Sequence, residues 1–356
     1  MSASAADRPS DIPDLVFVSD DEPGWSRRRR GKGFSYYRED GSLIKDKRIR
    51  ERLNALAIPP AWREVWICPL ANGHLLSTGR DEKDRKQYRY HPEWTNYRQL
   101  NKFHQLVQFA TVLPAARKLI RGILTDEQRG WDRERLAALA LALMDETGIR
   151  VGNSSYARRN GTVGLTTLRR KHLEVQGRGL HFAYPGKSHQ EREIDLRDRR
   201  LVKLVREVSE LPGYEVFRYR GEDGKMHNLK SGDINRLVRE LIGPDFSSKF
   251  FRTWVGTSEA VYAYWHLPKQ LTNDPEANLQ GRVVEAVAEE LGNTPAVCRQ
   301  YYIHPLVLTA IGERAVPDPD TITEKEREVF AGEFDDEEII AYRIAGVDLQ
   351  LTADDR

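Results

Sequence analysis

An α+β protein of two domains is predicted: a small β-rich domain, then a larger, mainly helical one carrying a three-stranded antiparallel sheet. Three observations predict it. Residues 34–97 are rich in aromatic and β-branched residues broken by turn signals. From about residue 98 the apolar residues recur at helical spacing. That pattern is interrupted by three short runs, KHLEV, LHFAY and EREIDL, separated by a QGRG turn and a PGK turn. The expected boundaries are a flexible basic arm over 1–33, the β-rich domain over 34–97, the helical domain over 98–316 and an acidic tail over 317–356.

The arm is rich in Ser, Asp and Pro and ends in Arg27, Arg28, Arg29 and Arg30, a basic end able to lie on phosphates. In FSYYREDGSLI an Asp-Gly pair between two apolar runs marks a hairpin. DKRIRERLNALAI reads as a short amphipathic helix stopped by Pro59 and Pro60. EVWICPL and HLLSTG read as strands, followed by GRDEKDRKQYRYHPEW. In the second domain NKFHQLVQFATVLPAARKLIRGIL and RERLAALALALMDETG are helices, the latter apolar nearly all round and therefore buried. The three strands follow, with Lys187 at their second turn. Helices resume at SGDINRLVRELI, TSEAVYAYWHL and GRVVEAVAEEL, the last capped by Gly292. Another begins at Pro295, with Thr294 or Asn293 as its cap.

Bulk properties narrow the class. The chain has 356 residues, 31% charged and 39% hydrophobic, and no run of about 18 apolar residues able to span a membrane. The N-terminus lacks a charged-then-apolar signal pattern. Cys68 and Cys298 are the only cysteines and form no CxxC, which argues against disulfides and zinc and fits a reducing cytoplasm. The net charge of +2 hides an asymmetry, because residues 317–356 carry 13 Asp/Glu against 4 Lys/Arg. A basic body with an acidic tail points to a polyanionic partner, with which the tail would compete for the protein's basic surface.

Five polar residues carry the chemistry: Arg150 in GIRVGN, Lys187 in YPGKS, Arg252 in FFRTW, Asn293 in LGNTPAV and Tyr302 in RQYYIHP. Two guanidiniums can hold non-bridging phosphate oxygens, an amide can donate to them, an ammonium can protonate a departing oxygen, and a phenol can attack. Together they can open a phosphodiester without a metal. Taken singly each has a plainer reading: a structural ion pair for Arg150, a solvated turn for Lys187, core packing for a Tyr-Tyr pair.

Read jointly, the chain resembles the poxvirus-like, bacterial type IB DNA topoisomerases over roughly residues 34–315. The resemblance rests on IPPAW, the GRD and RKQYRYHP stretch, IRVGN with VGLTTLRRKH, FRTWVGT, and LGNTPAV followed by YY. It implies the type IB topoisomerase/tyrosine recombinase fold for 98–316 and a DNA-clamping role for 34–97. It makes Tyr302, nine residues beyond Asn293, the nucleophile in preference to Tyr301. Arg150 and Arg252 would clamp the scissile phosphate, Lys187 would act as general acid, and Lys249 would contact a further phosphate. Arg80, Gln87, Tyr88 and Tyr90 match DNA-contacting positions. Some family members carry histidine where this chain has Asn293, and asparagine can donate a hydrogen bond but not a proton. The implied protein is a cytoplasmic, nucleoid-associated monomer closed around double-stranded DNA, needing no cofactor, metal or nucleotide. A site-specific tyrosine recombinase shares the chemistry, but its usual N-terminal domain is helical, and it normally has histidine where this chain has Lys249. A catalytically silent DNA-binding protein is the third reading.

Overall fold

The computed structural model of the chain describes residues 14–31, 33–126, 128, 130–187 and 190–346, without the side chains of residues 100, 155 and 156. It is a mixed helix-and-sheet protein of two units, Met1–Lys102 and Phe103–Arg356.

The first unit is built on one antiparallel sheet. Its strands are β1 (Trp25–Arg30), β2 (Gly33–Tyr37), β3 (Arg63–Ile67), β4 (Leu75–Arg80) and β5 (Lys86–Tyr90), in the order β2-β1-β3-β4-β5. The expected hairpin turn is present: Tyr37 bridges Leu43, Gly41 takes φ 78°, and Asp40 accepts from the Ser42 amide at 2.8 Å. α1 (Lys47–Ala55) starts where the Asp46 carboxylate accepts from Ile49 N. It ends before the two prolines, in a left-handed residue at Ala57 (φ 46°). Tyr36, Ile44, Leu53, Val65 and Ile67 form the unit's core.

The expected flexible arm is corrected here. Trp25 and Ser26 pair with Ile67 and Trp66, so the arginine run belongs to β1. Arg27 donates to the carbonyls of Ile58 and Pro59, each at 2.8 Å, and stacks on Phe34 with Cζ 4.0 Å from the ring centroid. Arg28, Arg29 and Arg30, toward the end of the strand, are exposed. A run of like charges looked like a tail because strand pairing leaves no mark in residue composition. Residues 1–13 lie outside the described residues.

α2 (Pro92–Thr125) starts before the expected residue 98, with Pro92 in its first turn, where a missing N–H costs nothing. The buried helix is α3 (Arg133–Thr147), capped by Gly148 in the left-handed region. A short α4 (Ser154–Asn160) leads to the three-stranded antiparallel sheet of β6 (Leu173–Gln176), β7 (Gly179–Pro185) and β8 (Glu191–Leu196). Then come α5 (Arg199–Ser209), a small hairpin of β9 (Arg218–Arg220) and β10 (Met226–Asn228), α6 (Ser231–Leu241) and α7 (Lys249–Trp265). α7 starts earlier than TSEA because FFRTW is itself helical. α8 (Lys269–Asn273), α9 (Leu279–Leu291), α10 (Pro295–Tyr301) and α11 (Pro305–Gly312) follow. α7 is the hub, packed against α3, α9, α11 and α13 (Asp336–Ala345).

The expected acidic tail is also corrected. α12 (Glu324–Val329) and α13 are ordered, and Ile339, Ile340 and Ala341 are buried in the unit's core. Glu338 is buried with them and paired with Arg117, and net charge registers neither that pairing nor the burial of the aliphatic side chains. No helix of the described residues is long and apolar enough to cross a membrane.

Candidate active site

Two helix ends meet at the site. α3 terminates at Gly148 (φ 57°) and α9 at Gly292 (φ 55°), both in the conformation that a Cβ penalises. Arg150 follows the first. Its loop is pinned by Leu165 N donating to Arg150 O at 2.9 Å and Thr166 N to Val151 O at 3.0 Å, so IRVGN and VGLTTLR are two sides of one structure. Arg150 Nη2 donates to Gly292 O at 2.9 Å and to Asn293 Oδ1. Arg252, on α7 and 4% exposed, donates from Nη1 to Gly148 O and from Nη2 to Leu291 O. Backbone carbonyls at two helix C-termini, where the peptide dipoles place negative charge, thus hold both guanidiniums.

Tyr302 is delivered by α10. The Thr294 hydroxyl caps this helix by accepting from Val297 N at 3.4 Å, with Pro295 in the first turn. Tyr302 is the residue just past its end: its amide donates to Cys298 O at 2.9 Å, and its carbonyl accepts from Thr257 Oγ1 at 3.3 Å. A Cβ on Gly256 would lie 2.7 Å from Tyr302 O, so glycine on α7 admits this close approach. The Tyr302 ring lies against Arg252, with Cζ 5.1 Å from its centroid.

Burial, together with the Arg150 charge, pulls the Arg252 guanidinium down to about 10, although the Tyr302 phenol opposes the shift. Burial lowers Arg150 as well, partly offset by Tyr302. Both remain charged at neutral pH. Among the described residues neither is paired with a carboxylate, which leaves two adjoining positive charges, one buried and one half-buried, without a counter-ion. Asn293 adds a donor aimed by its partner. A guanidinium only donates, so Oδ1 must face Arg150, and Nδ2 is buried near the Cys298 thiol with no hydrogen bond of ordinary geometry among the described residues.

The structure therefore joins Arg150, Arg252, Asn293 and Tyr302. Lys187 stands exposed on the β7–β8 turn, and among the described residues no hydrogen bond ties it to the cluster. Lys249 is the exposed first residue of α7, one turn before Arg252. Tyr301 is 37% exposed.

Sequence reasoning missed two members. Arg192 on β8 is 6% exposed and donates to the carbonyls of Glu289 at 3.0 Å and Glu290 at 2.6 Å. Tyr184 on β7 is buried; desolvation raises its phenol, while a hydrogen bond and the charge of Arg192, then Arg252 and Arg150, oppose the rise. One signal was available. In EREIDL, Arg192 shares strand parity with Ile194 and Leu196, an arginine on a core face.

In the first unit, Tyr88 and Tyr90 lie exposed on one face of the edge strand β5, rings stacked at 6.0 Å. Gln87 has the opposite parity, and its amide donates to Asp81 at 2.9 Å. Arg80 is half-buried and paired with Glu64 at 2.8 Å.

Residues 91–324 match the family model of the eukaryotic DNA topoisomerase I catalytic core. Residues 33–81 match that of the bacterial DNA topoisomerase IB N-terminal domain. The chain is 28% identical to DNA topoisomerase 1B of Acanthamoeba polyphaga mimivirus over 288 residues, 79% of this chain and 85% of that protein. It is 22% identical to DNA topoisomerase 1B of vaccinia virus (strain Copenhagen) over 244 residues, 67% and 73% of the two. Among solved structures, the site-specific recombinase XerH bound to a palindromic difH substrate aligns at a TM-score of 0.34 and 14% identity, over 56% of this chain and 49% of that one.

Proposed function

The chain belongs to the eukaryotic DNA topoisomerase I family and is a type IB DNA topoisomerase, and we propose that it relaxes positive and negative supercoils by transient single-strand cleavage needing neither ATP nor metal. One observation carries this reading: the Tyr302 ring lies against the buried Arg252 guanidinium, with Arg150 beside it, and among the described residues neither arginine is paired with a carboxylate. Such a pocket asks for an anion. A DNA phosphate is the anion a tyrosine nucleophile can attack.

The chemistry follows from the groups present. A phenol gives up its proton as it attacks, and the adjoining guanidiniums stabilise the negative charge that develops in the transition state. Arg150, Arg252 and the Asn293 Nδ2 donate to the non-bridging oxygens as negative charge builds on them. Tyr302 Oη bonds to phosphorus while the bond to the 5′ oxygen breaks, and Lys187 gives that oxygen its proton. The product is a 3′-phosphotyrosyl strand and a free 5′ hydroxyl. The ester conserves the bond free energy, so religation runs the step backwards without ATP. Between the two steps the cut strand rotates about the intact one.

We read the helical unit as the type IB topoisomerase/tyrosine recombinase catalytic fold, acting as a monomer on double-stranded DNA. Lys249 contacts a flanking phosphate, and the Tyr88–Tyr90 ladder meets the duplex from the first unit. The test is relaxation of supercoiled plasmid in EDTA without ATP. Wild type should relax both signs of supercoil, and Tyr302→Phe should bind DNA but form no covalent adduct. Full relaxation by Tyr302→Phe would assign the nucleophile elsewhere, with Tyr301 next.

A further inference from the structure

Arg192 lies between the turn that carries Lys187 and the end of α9 that carries Asn293. Its side chain leaves β8 and runs between two glycines, each immediately preceding a candidate catalytic residue. A Cβ on Gly186, which precedes Lys187, would lie 2.7 Å from Arg192 Cγ. A Cβ on Gly292, which precedes Asn293, would collide with Arg192 Cδ, Nε and Cζ. Beyond these contacts the guanidinium donates to the last turn of α9 at Glu289 O and Glu290 O. Leu291 O and Gly292 O, next in line, receive Arg252 and Arg150. Four consecutive carbonyls thus take three arginines, and Arg192 is the one that comes from the hairpin bearing Lys187. Tyr184 is its direct cross-strand partner on β7.

We propose that Arg192 is a positioning residue that sets the Lys187 turn against the end of α9, so that the proton donor meets the phosphate held by Arg150, Arg252 and Asn293. The proposal rests on the reading of Lys187 as general acid. Arg192 need not touch DNA. Its guanidinium is committed to two carbonyls and its stem to two glycines, so its effect passes through the turn. Lysine cannot replace it, because an ammonium lacks the planar fork that reaches both carbonyls.

The selective readout is the leaving group. A 5′ oxygen must be protonated as it departs, whereas a 5′ sulfur departs as a thiolate, an anion stable near pH 8.5, and needs no acid. Single-turnover cleavage of a duplex oligonucleotide is measured with each atom bridging the scissile bond. The proteins are wild type, Arg192→Gln, Arg192→Lys, Gly186→Ala and Lys187→Ala. Arg192→Gln should cleave the oxygen substrate about 100-fold more slowly than wild type, in the range general acids supply. On the sulfur substrate it should come within about fivefold of wild type, with DNA affinity little changed. Arg192→Lys should resemble Arg192→Gln. Gly186→Ala keeps the charge but pushes the turn off the Arg192 stem, and should show the same selective loss. It decides the matter alone if Arg192→Gln fails to fold.

Equal loss on both substrates, or no loss in a folded Arg192→Gln protein, overturns the proposal. Lys187→Ala separates the two levels: if sulfur does not relieve its defect, the assignment of the acid is wrong. If wild type forms no adduct with either substrate, the proposed topoisomerase mechanism is wrong.

Discussion

The buried Arg252 on α7 and the half-buried Arg117 on α2 have opposite surroundings. Arg117 on α2 meets Asp145 at 2.7 Å and Glu338 at 2.7 Å, and Glu338 also accepts from the indole of Trp254 at 2.7 Å. Arg252, two residues from Trp254 and so on the opposite face of the helix, meets only carbonyls among the ties described above, together with a tyrosine ring. Burial works to lower both. At Arg117 the two carboxylates outweigh it and hold the guanidinium above its ordinary range, whereas Arg252, beside Arg150, is pulled down to about 10. The difference teaches that a buried charge carries no functional meaning until its partners are known. The Arg117 network is closed and ties α2, α3 and α13 together. The Arg252 cluster is open and poised for an anion.

The largest expected effects come from breaking the two sites separately. Arg150→Ala and Arg252→Ala should slow single-turnover DNA cleavage by about 100- to 1,000-fold. Arg150→Ala should change unfolding free energy by less than about 1 kcal/mol, because it also removes like-charge repulsion. Arg117→Ala strands two carboxylates and should cost about 3–5 kcal/mol, read by denaturant unfolding. Its cleavage rate at a temperature where it stays folded should be close to wild type. A reversal of these signatures would break the comparison.

A smaller effect sharpens it. Inorganic phosphate should stabilise wild type by about 1.4 kcal/mol at ten times its Kd, seen as a rise in Tm. The rise should vanish in Arg150→Ala and Arg252→Ala proteins. Persistence of the full rise in both would place the anion elsewhere.

The smallest effect concerns the Arg117 side of α7, where a cavity of about 910 Å³ is lined by Arg117, Asp145, Glu146, Glu259 and Glu337 among others. Burial, reinforced by Glu290 and Glu337, pushes Glu259 up to about 7. A carboxyl raised in the folded state stabilises when protonated. Its contribution is therefore complete below its ordinary pKa near 4.5 and is lost as pH rises through 7. Glu259→Gln should flatten the fall in stability between pH 4.5 and 7, measured by urea unfolding across that range. An unchanged slope would assign the titration to Glu146 or Glu337, both also raised by burial.

Most of the secondary structure was legible. Helical spacing marked α2 and α3, glycine marked the end of α9, and the turns QGRG and PGK marked the sheet of β6 to β8. The two tails were misread for one reason. Residue counts register the charge of arginines 27–30 and of residues 317–346, but not the pairing of Trp25 with Ile67 or the burial of Ile339 and Ile340. Truncation at 317 would accordingly strip buried contacts rather than relieve competition for DNA.

The sequence by itself determined the reactive groups, because Arg150, Lys187, Arg252, Asn293 and Tyr302 stand in motifs whose side chains are chemically distinctive. Tertiary structure alone decided what surrounds them. It brings Gly148, Glu289, Glu290, Leu291 and Gly292 to the guanidiniums through their carbonyls, and Arg192 into the cluster between two glycines. The physical reason is that every residue owns a backbone carbonyl and glycine owns no side chain. The partners that shape this pocket therefore leave almost no trace in the order of the letters, and only folding selects which of them face the arginines.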